Sequence, residues 1–343
     1  MPVDIRVPPA SASHNHNNHM LLRDNAIAVW LDWLVTVHRP RRLAAVQERR
    51  IRRARANAVI SAGHSHTLAL RADGSVACWG DNEFDQAPPA GVEGDFVAVA
   101  AGYYHSLALR ADGSVACWGR NGDGQAPPAD VEGDFVAVAA GDKHSLALRA
   151  DGSVACWGDN EFDQAPPAGV EGDFVAVAAG YYHSLALRAD GSVACWGRNG
   201  DGQAPPADVE GDFVAVAAGD KHSLALRADG SVACWGDNEF DQAPPAGVEG
   251  DFVAVAAGYY HSLALRADGS VACWGANYLD QAPPAGVEGD FVAVAAGGDH
   301  SLALRADGSV ACWGANTFGQ APTDASRLGE LNSTRFMTEV RIL

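Results

Sequence analysis

Hydrophobic and polar positions along this chain alternate in short bursts that return on a fixed period. Within residues 95–133, the run FVAVAA (96–101) alternates residue by residue, with Val97 and Val99 on one face and Phe96, Ala98 and Ala100 on the other. That period predicts a strand. HSLALR (105–110) alternates again and puts Leu107 with Leu109. Asp112-Gly113 then supplies a two-residue hairpin turn, because the favoured turn needs positive φ at both central positions. SVACWG (114–119) returns as a third strand, with Val115 and Cys117 on one face and Trp118 on the other. Gln125-Ala126-Pro127-Pro128 cannot continue a central strand, since proline has no N–H to donate, so it reads as an extended connector.

This unit is copied seven times. Cys-Trp-Gly recurs every 39 residues, at Cys78, Cys117, Cys156, Cys195, Cys234, Cys273 and Cys312. A single unit cannot bury its apolar face alone, whereas stacked neighbours can. Both faces of each three-stranded sheet are apolar, so each must be covered from both sides. A closed radial ring does this and limits exposed edges. The predicted fold is all-β: a seven-bladed β-propeller over residues 57–328, preceded by a basic segment (1–56), helical or disordered, and followed by a tail (329–343). An open superhelix of the same units is the alternative. At the seam, 57–63 (NAVISAG) can supply the first strand of unit one, or the tail can complete a blade.

The formal net charge of −19 hides a split. Residues 1–56 carry ten Arg against four acids, whereas 57–328 carry 12 Lys and Arg against 37 Asp and Glu, a net of −25. An acidic ring is a poor binder of phosphate backbones; its expected partners are proteins with basic or mixed surfaces. Nucleic acid or anionic membrane enters only as an option for Arg39–Arg55. The apolar run 26–37 is too short to span a bilayer and its flank does not resemble a secretory leader. The expected location is cytoplasmic, with a nuclear one as the alternative. The seven cysteines occupy one repeat position and no CxxC occurs, which argues against a disulfide framework or a zinc ribbon. No metal or cofactor is expected. The repeated His (His66, His105, His144, His183, His222, His261, His300), followed by Ser in six units and by Thr67 in the first, lacks a distinct acid partner and is expected to bond backbone rather than to catalyse.

Function is expected where the units differ. Residues 81–158 and 159–236 are identical, and the differences among units gather in the pair before His and in the loop after Cys-Trp-Gly. Strand direction puts both loops on one face, as a binding rim on a constant scaffold. Tyr103 and Tyr104, Tyr181 and Tyr182, Tyr259 and Tyr260 sit in the first loop; Phe84, Phe162 and Phe240 of the preceding units sit in the second. They predict three aromatic patches, separated by charged ones containing Arg120, Arg198, Lys143 and Lys221. Aromatic and Arg side chains of this kind dominate protein interfaces. No catalytic residue is assigned.

The pattern GxxHSLALRADGSVACWGxN…Q closely resembles the repeat of the regulator of chromosome condensation family across residues 57–328. The short period and proline connector look most like the compact three-stranded blades of bacterial β-lactamase-inhibitor propellers. The resemblance implies a seven-bladed propeller. It also implies a range of roles: nucleotide exchange factor for a small GTPase, chromatin binder, ultraviolet photoreceptor, part of a ubiquitin ligase, or protein inhibitor; a chromatin or membrane adaptor tethered by Arg39–Arg55 is a further alternative. The family's exchange factor uses an inserted wedge, and no unit here carries an insertion. The photoreceptor's GWRHT-type tryptophan is replaced by GHSH, GYYH, GDKH and GGDH. A protein-binding, non-enzymatic propeller is the leading expectation, with nucleotide exchange as the alternative.

Overall fold

The computed structural model describes residues 59–321; segment 1–56 with Arg39–Arg55, the apolar run 26–37 and the tail 329–343 lie outside them. The described residues form seven three-stranded antiparallel sheets. The first has strands Ile60–Ala62, His66–Leu70 and Val76–Gly80; the second has Phe96–Ala101, His105–Arg110 and Val115–Gly119; the seventh has Phe291–Ala296, His300–Arg305 and Val310–Gly314. First strands neighbour one another around the axis, and their C-terminal ends from all seven blades line one central mouth. No helix among the described residues is long and apolar enough to cross a membrane.

Each connector adds one further bridge to its blade, antiparallel between residues such as Val115 and Val131. In blades two to seven, strict alternation fails in the first strand. Phe96 pairs with Arg110, but Ala98 pairs with Leu109, so Val97 is the extra residue of a β-bulge. The bulge flips every later side chain. Phe96 therefore shares a face with Val99 and Ala101, while Ala98 and Ala100 join Leu107, Leu109 and Val115 on the other. The expected grouping of Phe96 with Ala98 and Ala100 is corrected accordingly.

The bulge makes the two faces of a blade complementary. Leu107, Leu109 and Val115 of blade two meet Phe135, Ala147, Ala155 and Trp157 of blade three. Large side chains thus fill the space left by alanines, which explains why Leu and Ala alternate in every middle strand. The same packing joins blade seven to blade one, with Leu302, Leu304 and Val310 against Ile60, Ala69, Ala77 and Trp79. Since 60–62 pairs with the middle strand of its own blade, the ring closes by blade contact.

Polar clasps cross each of these interfaces. His105 Nε2 lies 2.9 Å from Ser145 Oγ of the next blade, and Ser145 Oγ donates to the Gln125 carbonyl at 2.9 Å. Trp157 Nε1 donates to that same carbonyl at 2.9 Å. A serine hydroxyl has one proton, and here a carbonyl takes it, so His105 must donate from Nε2 and carry its lone pair on Nδ1. Six interfaces use Ser; the closing one uses Thr67, which bonds His300 Nε2 at 2.9 Å and the Gln320 carbonyl at 2.9 Å. The repeated His therefore bonds a hydroxyl of the next blade rather than backbone. The glycine three residues earlier allows the close approach: a Cβ on Gly102 would enter the His105 ring and stand 2.5 Å from the Gly141 oxygen.

Candidate functional site: the mouth of the ring

Each first strand is followed by a constant glycine, and the next residue is the first of the two variable positions. In five of the seven blades its backbone N–H reaches across to the next blade: Tyr103, for example, donates to the Gly141 carbonyl at 3.1 Å, and His64 to Gly102 at 3.2 Å. These bonds fix the variable side chains over the axis. The second variable residue sits further out, against the loop after Cys-Trp-Gly of the preceding blade.

That outer loop is shaped by its own Asn and Gln. Asn82 Oδ1 accepts from Ala87 N at 2.8 Å, and Gln86 Oε1 from Phe84 N at 2.9 Å. The turn requires a left-handed residue, supplied by Gly124, Gly202 and Gly319 in some units and by Asp85 (φ 63°), Asp163 (φ 61°), Asp241 (φ 60°) and Asp280 (φ 62°) in others. Asp tolerates this region better than most side chains.

The resulting aromatic arrangement differs from three separate patches. Phe84 meets Tyr104 at 5.0 Å, Phe162 meets Tyr182 at 5.1 Å, and Phe240 meets Tyr260 at 5.2 Å between ring centroids. The inner tyrosines, however, converge. Tyr103, Tyr181 and Tyr259 stand 6.0 Å from one another, edge to face. His64 stacks on Tyr103 at 3.9 Å and meets Tyr259 at 5.2 Å. A single aromatic cluster therefore lies across the axis, with three arms running outward. Edge-to-face geometry is the favourable one for such rings. Sequence order could not place residues 78 positions apart on one axis; only ring closure does.

Arg120 and Arg198 likewise belong to the aromatic arms. Arg120 lies 5.4 Å over Phe84 and 5.9 Å over Tyr104, and Arg198 lies 5.6 Å over Phe162. Lys143 and Lys221 are half-buried, each following an aspartate that comes close to the axis. Those aspartates, Asp142 and Asp220, are the residues that sequence reasoning undervalued. They are 6% and 7% exposed. Burial raises both carboxyls to about 6, opposed for Asp142 by Lys143 and the Tyr181 hydroxyl, and for Asp220 by Lys221 and the Tyr260 hydroxyl. Burial also pushes the Tyr259 phenol far above its ordinary range and holds His64 below its own.

A cavity of about 230 Å³ opens between blades four and six, lined by Tyr181, Tyr182, Asp220, Lys221, Tyr259 and Tyr260 with Arg198 and Gln203. Outside it, Tyr278, Leu279 and Phe318 are 73%, 50% and 57% exposed, and Tyr278 meets Phe240 at 5.7 Å. These three share the loop position of Phe84 and its neighbours, a signal that was readable from the repeat alignment within the chain. The seven thiols are free and buried or half-buried, and burial pushes each to about 12. Among the described residues, no group of three or more His, Cys, Asp or Glu is placed to hold a metal ion.

Seven segments match the family pattern described as "Regulator of chromosome condensation (RCC1) repeat": residues 59–86, 96–125, 135–164, 174–203, 213–242, 252–281 and 291–320. No curated protein matches the chain. Among solved structures, Prp20p of Saccharomyces cerevisiae is similar at 23% identity and TM-score 0.61, over 71% of this chain and 81% of that one; it is described with its binding to Gsp1p and histones. The CRINKLY ectodomain of the Arabidopsis thaliana receptor kinase ACR4 is similar at 25% identity and TM-score 0.62, over 78% of this chain and 98% of that one. Human WBSCR16 is similar at 22% identity and TM-score 0.63, over 72% and 86%.

Proposed function

This chain belongs to the regulator of chromosome condensation repeat family, and we propose that it is a non-enzymatic, protein-binding propeller whose partner docks on the aromatic mouth and rim. One observation carries the reading. The interblade packing and clasps repeat in every blade, whereas most of the residues that vary among blades lie in two loops on a single face, the Gly/Asp exchange in the connectors being the main exception. There they form a half-buried cluster of Tyr and Phe bordered by Arg and Lys, the side chains that contribute most to protein interfaces. The repeated His-Ser pair is occupied in the clasps between blades, with the imidazoles fully buried, and this favours a scaffold over a catalyst. Net charge over the ring favours a partner with a basic or mixed surface.

The test compares the immobilised full chain with two variants. One replaces Tyr104, Tyr182, Tyr260, Phe84, Phe162 and Phe240 by Ala; the other replaces the exposed Glu93, Glu132 and Glu171, in the turns away from the mouth, by Gln. Loss of a retained partner from the first variant alone supports the reading, once circular dichroism shows all three folded. Loss from the glutamate variant alone overturns it. Catalysed nucleotide release from a small GTPase by the full chain would favour the exchange alternative instead.

A further inference from the structure

The loops after Cys-Trp-Gly share one frame but differ at one amide. Each holds its Asn by the side-chain oxygen: Asn121 Oδ1 accepts from Ala126 N at 3.0 Å, Asn199 Oδ1 from Ala204 N at 3.0 Å, and Asn82 Oδ1 from Ala87 N at 2.8 Å. In blades one, three and five the residue after that Asn is glutamate, and an aspartate two positions earlier takes its N–H. Glu83 donates to Asp81 at 3.2 Å, and Glu161 to Asp159 and Glu239 to Asp237 at 3.1 Å. In blades two and four the aspartate is replaced by Arg120 or Arg198, and the glutamate by Gly122 or Gly200. A guanidinium has no acceptor to offer. Asp123 N–H goes to Gln125 Oε1 at 2.9 Å and Gly124 N–H to the Asn121 carbonyl at 3.3 Å. Among the described residues, nothing accepts from the N–H of Gly122 or Gly200.

Three further features favour reaction at that nitrogen. Asn121, Gly122, Asn199 and Gly200 are exposed, whereas Asn82, Asn160 and Asn238 are half-buried. Glycine places no side chain beside the nitrogen. The arginine lies alongside: a Cβ on Gly122 would stand 3.8 Å from Arg120 Nε, and one on Gly200 3.7 Å from Arg198 Nε. A cation so close favours loss of the amide proton. Asn-Gly occurs nowhere else in the chain.

We propose that Asn121-Gly122 and Asn199-Gly200 are self-modifying sites, at which the freed glycine amide converts each asparagine to aspartate or isoaspartate. Gly122 N, its proton lost to water, attacks Asn121 Cγ; the new N–Cγ bond closes a succinimide, and the side-chain nitrogen leaves as ammonia. Water then opens the ring. Cleavage of N–Cγ leaves aspartate. Cleavage of the bond to the main-chain carbonyl carbon of Asn121 leaves isoaspartate, with the chain running through Cγ. Asparagine and water thus give a carboxyl group and ammonia, and no oxidant is needed. Either product adds negative charge beside Arg120 or Arg198 on the rim, and isoaspartate also lengthens the loop. The reaction is independent of what docks there.

The experiment ages the full folded chain near neutral pH, digests samples with trypsin and follows peptide masses, subtracting a sample digested at the start. Residues 121–143 and 199–221 are released as one identical peptide; residues 72–110, 150–188 and 228–266 give another, which carries Asn82, Asn160 and Asn238. The first peptide is expected to gain the mass of an amide-to-acid exchange at least about tenfold faster per Asn-containing loop than the second, with isoaspartate among the products. Two variants locate the cause. G122A/G200A, compatible with the fold because neither glycine has positive φ, crowds the attack. R120D/R198D restores the aspartate that holds the amide in blade one, and is read in residues 111–143 and 189–221. Each is expected to slow the gain about tenfold, with circular dichroism confirming that both fold. Equal rates in the two parent peptides, or the parent rate kept by either variant, overturns the proposal.

Discussion

Lowering pH should unfold this ring abruptly, because its clasps are built from neutral histidines. The seven clasp imidazoles have no exposed surface. Burial holds six of them at about 3 and His144 at about 4, against about 6.5 in an unfolded chain. A depressed basic group stabilises the fold above its unfolded value and loses that contribution as pH falls. Asp142 and Asp220 act oppositely: raised to about 6 from 3.8, they favour the folded state as pH falls through that window. At pH 5, unfolding therefore takes up about seven protons on histidine and releases about two from these aspartates, a net uptake of about five. Each net proton changes stability by about 1.4 kcal/mol per pH unit, which makes the slope about 7 kcal/mol per unit. Against a typical domain stability of about 5–15 kcal/mol, collapse is expected between roughly pH 4 and 5.5. Near-ultraviolet circular dichroism across that range locates the transition, and proton uptake on urea unfolding in weak buffer at pH 5 counts the groups. Native near-ultraviolet signal persisting at pH 4, or an uptake of two protons or fewer, would refute the assignment of neutral, buried clasp histidines.

Two local substitutions test the same physical account. Ser223→Ala removes the acceptor of the His183 Nε2–H, now 3.0 Å away, and should cost about 1–3 kcal/mol by leaving a buried donor unpaired. Ser223→Thr should be tolerated, as Thr67 is at the closing interface; equal urea midpoints for Ser223→Ala and the parent would show that the imidazole does not donate there. Asp163, at φ 61°, should accept Gly without loss, while Val there should cost about 1–2 kcal/mol because a β-branched residue strains in the left-handed region. Thermal melts of the two variants check this, and equal melting temperatures would overturn it.

Much of the architecture was legible in the sequence because it is local or periodic. The alternation in HSLALR and SVACWG, the Asp-Gly turns and the proline connectors specify strands and their order; a 39-residue period specifies seven equal blades; strand direction puts both variable loops on one face. The first strand was misread at Val97, because a bulge breaks the two-residue period without any change in composition. Three further features were decided by the tertiary structure alone. The His–Ser–Gln clasp joins residues 40 positions apart in neighbouring blades, and its partner becomes definite only when blades pack at a set angle. The meeting of Tyr103, Tyr181 and Tyr259 requires a closed ring with a common axis, a geometry that no spacing within one unit encodes. The burial of Asp142 and Asp220 follows from that closure, since the rings that exclude water from each aspartate come from other blades.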